Sequence, residues 1–235
     1  MTRRRWIADE VAGDLASITG AHAAHISRVL RGAIGQEFDI VTRSGVRSGR
    51  ITSIEDGRVE FALGNEILSN TLPHITILLS VFKFDRMEWA IEKCTELGVA
   101  RIVPVISQRT EKHLASASPK RFERWQRIAS QASEQSRRPS VPEILAPIKL
   151  KNALDRDGNA RIVLCESEKE IMLKDLFDAR AADVLLAFGP EGGWTPEELK
   201  SFVACGWKPA SLGTTILRAE TAAIAATAIA ISQLQ

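Results

Sequence analysis

From residue 74 onward, short and almost wholly apolar segments alternate with amphipathic helical patterns, and this alternation restricts the fold more than any other feature of the chain. The apolar runs cover residues 75–82, 101–105, 161–165, 184–188 and 210–212. Strands this apolar are covered on both faces, so the spacing predicts an α/β domain with a largely parallel sheet. A helix predicted between the first two runs has Asp85 as N-cap, Glu88 three residues on, Met87, Ile91, Cys94 and Leu97 along one face, and Gly98 as its stop. A second is predicted from Ser118-Pro119, with Phe122, Trp125, Ala129 and Ala132 turned inward and Lys120, Arg121, Arg124 and Arg127 turned largely to solvent. The last, about residues 220–234, is nearly all Ala and Ile around its circumference. A helix without a polar face needs cover on every side, and a second subunit is the natural candidate.

Residues 1–72 read as short strands and turns. Runs at 37–41, 49–54 and 58–63 alternate apolar with polar and are separated by Ser44-Gly45 and Asp56-Gly57, the second a strong hairpin signal. One helix, about residues 22–30, precedes them with Ile26, Val29 and Leu30 inward. The polar stretch 64–73 reads as a linker closed by Pro73. The expected organisation is a small β-rich domain over 1–72 and an α/β domain over 73–235.

Composition narrows the function. With 235 residues, 45% of them hydrophobic, there is material for a sizeable core, and no apolar stretch approaches the roughly 20 residues of a membrane-spanning helix. Arg3, Arg4 and Arg5 are followed by Asp9, Glu10, Gly13 and Asp14 where a signal peptide needs an unbroken apolar run, so a cytoplasmic protein is expected. Cys94, Cys165 and Cys205 are odd in number and set in apolar surroundings, which suits buried thiols better than disulfides or a metal site. The net charge of +2 conceals a polarity: residues 101–139 hold nine basic groups against three acidic, whereas residues 157–205 hold five against ten. Such a basic region is the footprint of a polyanion binder, or else a solvated helix face. No two glycines are separated by a single residue, which removes the G-x-G dinucleotide fingerprint, and P-loop, H-E-x-x-H, G-x-S-x-G and C-x-x-C patterns are absent. His22 and His25 are three apart with no third ligand near in sequence, so no metal is expected.

Two segments carry chemistry. Phe188-Gly189-Pro190-Glu191-Gly192-Gly193-Trp194-Thr195-Pro196-Glu197-Glu198 follows an apolar strand and enters a helix with Thr195 as N-cap, Pro196 at the first position and Glu198 closing a capping box. Loops at the carboxyl ends of parallel strands bind ligands, and glycines let backbone amides approach them closely. Leu212-Gly213-Thr214-Thr215-Ile216-Leu217-Arg218-Ala219-Glu220-Thr221 leads from the last strand into the Ala-rich helix. It gathers Arg218, Glu220 and Thr221 at a helix start expected to be buried, where charges are costly unless paired or functional.

These two segments closely resemble the SPOUT methyltransferases, specifically the bacterial family that methylates uracil N3 in 16S ribosomal RNA. The resemblance extends to Asp85-Arg86-Met87-Glu88, Ser107-Gln108-Arg109, Glu134-Gln135-Ser136-Arg137-Arg138 and His25-Ile26-Ser27-Arg28. Phe84, Gln108, Arg137 and Thr215 stand where the family usually has glycine, glutamate, glycine and arginine. The resemblance implies a C-terminal parallel-sheet domain with a deep trefoil knot and a small PUA-like N-terminal β-barrel. It also implies S-adenosyl-L-methionine held by loops at Leu164 and Glu166, at Phe188, Gly189, Pro190, Glu191 and Gly193, and at Leu212, Gly213, Ile216 and Leu217. By the same resemblance, Arg3, Arg4, Arg28, Arg31, Arg109 and Arg138 are expected to contact RNA. Arg218, with Arg109 or Arg138 nearby, would stabilise negative charge on the base, Glu134 or Glu220 would orient it or take its proton, and a homodimer would complete the site. The alternatives are a related enzyme acting at a ribose 2′-oxygen of another RNA, and a non-enzymatic RNA-binding factor in ribosome assembly.

Overall fold

The chain divides into two units, Met1–Thr71 with Ser133–Ser140 and Leu72–Ala132 with Val141–Gln235. The computed structural model describes residues 4–42, 45–67, 73–138, 140–177 and 183–234.

The first unit is built on a six-stranded sheet of β1 (Arg5–Ile7), β2 (Glu10–Ala12), β3 (Leu15–Thr19), β4 (Glu37–Thr42), β5 (Gly45–Glu55) and β6 (Arg58–Glu66), in the order β1-β4-β5-β6-β3-β2. Only β1 and β4 pair in parallel. Asp56-Gly57 makes the predicted turn between β5 and β6, with Gly57 in the left-handed region at φ +79°. The inward residues Ile18, Ile40, Ile51, Val59 and Phe61 are buried, and the Phe38 and Phe61 rings meet edge to face at 6.2 Å. Between β3 and β4 lies α1 (Gly20–Ala24), which passes into a π-helical turn over His25–Val29. The wider turn rotates Val29 out to 65% exposure, correcting its expected inward position, whereas Ile26 is fully buried. β1, β2 and β3 were not anticipated, because segments of three to five residues are too short to establish a period.

The second unit carries a seven-stranded, all-parallel sheet. Its strands are β7 (His74–Ser80), β8 (Arg101–Ile106), β9 (Glu143–Ile144), β10 (Ile148–Lys149), β11 (Ala160–Leu164), β12 (Asp183–Phe188) and β13 (Lys208–Ala210). The order is β10-β8-β7-β12-β11-β13, with β9 also paired to β8. Alternate residues of each strand feed two separate cores. Ile75, Ile77, Leu79, Val184, Leu186 and Phe188 pack under α2 (Phe84–Leu97) and α6 (Ala219–Leu234) on one face. Leu78, Val103, Val105, Leu185 and Ala187 meet Phe202 of α5 (Pro196–Ala204), Trp194 and Trp207 on the other. This two-sided burial is why the strands read as continuous apolar runs.

The basic helix predicted from Ser118 is the later part of a longer run: α3 (Lys112–Ala117), a 3-10 turn at Ser118–Arg121 and α4 (Phe122–Gln135). Arg124 makes a two-pronged contact with Glu88 at 2.7 and 2.8 Å, and Arg121 lies 3.5 Å from the same carboxylate, so part of the basic face is neutralised within the fold. Asp85 is not the cap of α2. Lys83 holds that position without a side-chain cap, because Phe84 packs against Trp125 and beneath the Arg121 guanidinium and is drawn into the first turn.

Three helices end in the same way. After α2, Gly98 and Val99 donate to the carbonyls of Thr95 and Cys94; after α5, Gly206 and Trp207 donate to Val203 and Phe202; after α4, Arg137 and Arg138 donate to Glu134 and Ser133. This paired closure requires a left-handed residue, which is glycine in the first two cases and Arg137, at φ +56°, in the third.

Candidate active site

A cavity of about 730 Å³ opens at the carboxyl ends of β11, β12 and β13, where parallel sheets bind ligands. Three loops wall it. The loop after β11 contributes Leu164 and Glu166, that after β12 contributes Phe188, Gly189, Pro190, Glu191 and Gly193, and that after β13 contributes Leu212, Gly213, Ile216 and Leu217. All eleven positions expected to hold a cofactor therefore line one cavity. Ile216, in the loop after β13, is 79% exposed at the cavity wall.

Local chemistry fixes the loop after β12. Gly193 turns with φ +69° and donates to the Pro190 carbonyl, and Trp194 donates from Nε1 to the Leu164 carbonyl at 3.0 Å, tying this loop to the end of β11. Thr195 caps α5 in the predicted capping box, with Pro196 first in the helix. Glu198, 5% exposed, accepts from the backbone of Thr195 at 2.9 Å and of Gln108 at 2.7 Å, so its buried charge is met by two amides. Arg109 donates from Nη1 to the carbonyls of Gly192 at 2.6 Å and Trp194 at 3.3 Å. Its guanidinium thus braces the glycine loop from the β8 side.

A line of four charges runs beside the cavity. Lys83 lies 4.0 Å from Glu191, Arg86 bonds Glu191 at 2.8 Å, and the Nε of Arg86 lies 3.8 Å from Glu220. Sequence reasoning missed Lys83 and Arg86 as site residues. A signal was available: cations at the start of a helix oppose its dipole, so two of them before Met87 require acidic partners elsewhere. The start of α6 corrects the expected buried cluster. Glu220 is buried at 4% exposure, but Arg218 and Thr221 are exposed and the Arg218–Glu220 pair does not form. Glu220 keeps one carboxylate oxygen, Oε2, with no hydrogen-bond partner among the described residues. Arg218 lines the cavity with no carboxylate partner among them. A free cation and an acceptor with spare capacity can stabilise an anion and receive a proton.

The remaining expected residues belong to the first unit. Glu134 accepts from His22 Nε2 at 2.9 Å, and burial raises its carboxyl above the ordinary range, an effect that His22 opposes and Asp9 reinforces. The Trp6 ring lies against His22 and His25 at centroid distances of 5.7 and 5.6 Å, which gives both histidines a structural setting. Arg138 is 5% exposed, and burial lowers its guanidinium to about 10. Arg28 is exposed but paired with Asp56 at 2.8 Å, whereas Arg4 and Arg31 are exposed; Arg3 lies outside the described residues. Of the thiols only Cys94 is buried, while Cys165 lines the cavity. Among the described residues no group of His, Cys, Asp or Glu could hold a metal ion, and no helix is long and apolar enough to cross a membrane.

A family model described as an RNA methyltransferase domain matches residues 69–231. Ribosomal RNA small subunit methyltransferase E of Synechocystis sp. is 32% identical over 213 residues, covering 88% of this chain and 69% of that protein. The protein of the same name from Bacillus subtilis is 30% identical over 218 residues, covering 88% and 85%. Among solved structures, a ribosomal RNA small subunit methyltransferase E from Neisseria gonorrhoeae bound to S-adenosyl methionine superimposes with a TM-score of 0.82 at 30% identity, covering 96% of this chain and 95% of that one. A Legionella pneumophila protein in complex with the same cofactor gives 0.82 at 26% identity, covering 99% and 98%. With the family model spanning more than half of its length and relatives at 30–32% identity covering 88% of it, the chain belongs to the RNA methyltransferase family that includes ribosomal RNA small subunit methyltransferase E.

Proposed function

We propose that this chain methylates uracil N3 in the 16S ribosomal RNA of the small subunit, using S-adenosyl-L-methionine. The observation that carries the reading is the convergence of three loops on one cavity, with Arg218, a cation without a carboxylate partner among the described residues, at its wall and the buried, unpartnered carboxylate oxygen of Glu220 at the adjoining helix start. The cavity suits this cofactor: Leu164, Phe188, Leu212 and Ile216 offer apolar surface for a flat base, Glu166 offers an acceptor for hydroxyls, and Lys83 and Arg86 are cations at the rim. When bound, the cofactor supplies an electrophilic methyl group on a sulfonium.

The chain's own residues handle the nucleophile. Uracil N3 must lose its proton to attack, so Arg218 holds the negative charge that develops on the base, and Glu220 takes the proton or fixes the ring. Arg109 acts by bracing the glycine loop. Glu134, on the first unit, is the second candidate to orient the base. N3 lies on the pairing edge, so the target uracil has to be unpaired when it is presented. The first unit serves as a PUA-like RNA-binding domain, supported by its small sheet and arginine content. The second has a SPOUT-type trefoil knot, a reading supported by the insertion of β12 between β7 and β11. A cytoplasmic homodimer completes the picture, supported by the Ala- and Ile-rich sequence of α6.

Radiolabelled methyl transfer tests the roles. Arg218→Ala is expected to lower turnover by about 100-fold or more while cofactor binding and Tm stay near wild type. Wild-type turnover by the variant removes Arg218 from the mechanism.

A further inference from the structure

Left-handed backbone is rare outside glycine, asparagine and aspartate, and two residues other than glycine adopt it among the described residues: Arg31 at φ +51° and Arg137 at φ +56°. Both are arginines, both are exposed, and both belong to the first unit. The closure after α4 demands a left-handed residue at 137, but arginine has neither glycine's missing Cβ nor a short polar side chain to ease that conformation, so it is the residue type rather than the turn that is unusual. A residue kept where its conformation is unfavourable is a candidate for function.

The charge pattern around it separates Arg137 from its neighbours. Residues 1–71 carry nine arginines and no lysine. Arg5, Arg28, Arg47, Arg50 and Arg58 each meet a carboxylate within 3.6 Å, and Arg138 is buried. Arg4, Arg31 and Arg137 are exposed with no carboxylate partner among the described residues. Arg137 is tied to β1: Arg5 donates from Nη1 to its carbonyl at 2.6 Å, so the strand and the turn after α4 are held side by side. The turn itself is closed by the two backbone bonds to Glu134 and Ser133, which fix the direction in which residue 137 leaves the helix end.

From this juxtaposition we infer that Arg137 is an RNA-contacting residue of this chain, binding a backbone phosphate at the turn beside β1, and that an arginine is retained in a glycine-like conformation for the sake of that contact. The inference rests on the RNA reading above and adds a residue to it. A planar guanidinium without an intramolecular partner can engage phosphate oxygens in two-pronged fashion, which a glycine at the same turn could not.

Three substitutions separate charge from strain. Arg137→Gly relieves the backbone and removes the cation; Arg137→Ala removes the cation and keeps the strain; Arg137→Lys keeps both. Binding to naked small-subunit ribosomal RNA transcribed in vitro is measured by filter retention between about 50 and 200 mM potassium chloride, together with Tm. The glycine variant is expected to melt about 2–4 °C higher, to bind roughly 3- to 10-fold more weakly at low salt, and to lose about 0.7–0.9 from the slope of log K against log salt. The alanine variant should share the loss of affinity without the rise in Tm, and the lysine variant should retain most of the affinity. Wild-type affinity and salt slope in both neutral variants overturn the assignment of Arg137. A wild-type chain that binds no RNA overturns the RNA reading itself, an outcome distinguishable because no variant is needed to see it.

Discussion

Single residues reveal which parts of the site are rigidly determined. Cys94 is wholly buried beside Thr227, and burial pushes its thiol up to about 12. Only the thiolate is nucleophilic, so at pH 8 about one molecule in 10,000 carries a reactive Cys94 even before access is considered. Iodoacetamide labelling read by peptide mass spectrometry is expected to modify the partly exposed Cys165 and Cys205 in the native protein and Cys94 only after denaturation. Native labelling of Cys94 at a comparable rate contradicts the packing between α2 and α6. At this scale the sequence was informative where a residue's role is local. Thr195, Pro196 and Glu198 announce a helix start by their spacing alone, and the structure contains that capping box. It was uninformative where burial is decided by distant elements. Arg218 and Glu220 are two residues apart, yet one is exposed and the other enclosed beside Arg86 of α2, a neighbour that no local pattern reveals.

Between elements, the contacts that shape the cavity are ion pairs and backbone bonds across loops. Arg86 links the start of α2 to Glu191 of the glycine loop and to Glu220 in the first turn of α6. The dipole of α6 helps to hold the Glu220 charge, but Arg86 is its nearest cation. Since Arg86 is about a third exposed, solvent screens the pair, and removing it should cost about 1 kcal/mol in the ordering of the two loops. Arg86→Ala is expected to weaken cofactor binding roughly 5-fold by calorimetric titration, with Arg86→Lys recovering part of the loss. An unchanged dissociation constant in the alanine variant shows that the two loops hold their places without it. The strands β7, β8, β11 and β12 were legible because both faces are buried, which makes the pattern continuous; β9 and β10, of two residues each, were not anticipated, and β13 ends at Ala210, where the expected last strand began. The helix over 22–30 was legible as helical but not as a π-turn, since the signal for one extra residue per turn is smaller than the pattern it interrupts. The expected cover of α6 included a second subunit; within the single chain Thr221, Ala228 and Ser232 fall on one exposed stripe.

In the whole molecule, an arginine-rich unit accompanies a parallel-sheet unit that carries the cavity, and the segment Ser133–Ser140 joins the first unit although its sequence neighbours belong to the second. That return of the chain was not readable from composition, because its cause is tertiary: Glu134 meets His22, and the Arg137 carbonyl meets Arg5. Cofactor class and cavity were far more legible than the reacting groups, since a glycine-rich loop between a strand and a capped helix announces its geometry, whereas a base or an anion-stabilising cation is defined only by what surrounds it. The proposed function comes down to one chemical event at one atom, methyl transfer to uracil N3. The direct test is nucleoside mass spectrometry of small ribosomal subunits from a strain lacking the modification, after incubation with the purified protein and S-adenosyl-L-methionine. The account predicts that 3-methyluridine appears and that the Arg218→Ala protein fails to produce it. A methyl group found only on ribose 2′-oxygens, or no methylated nucleoside at all, would contradict it.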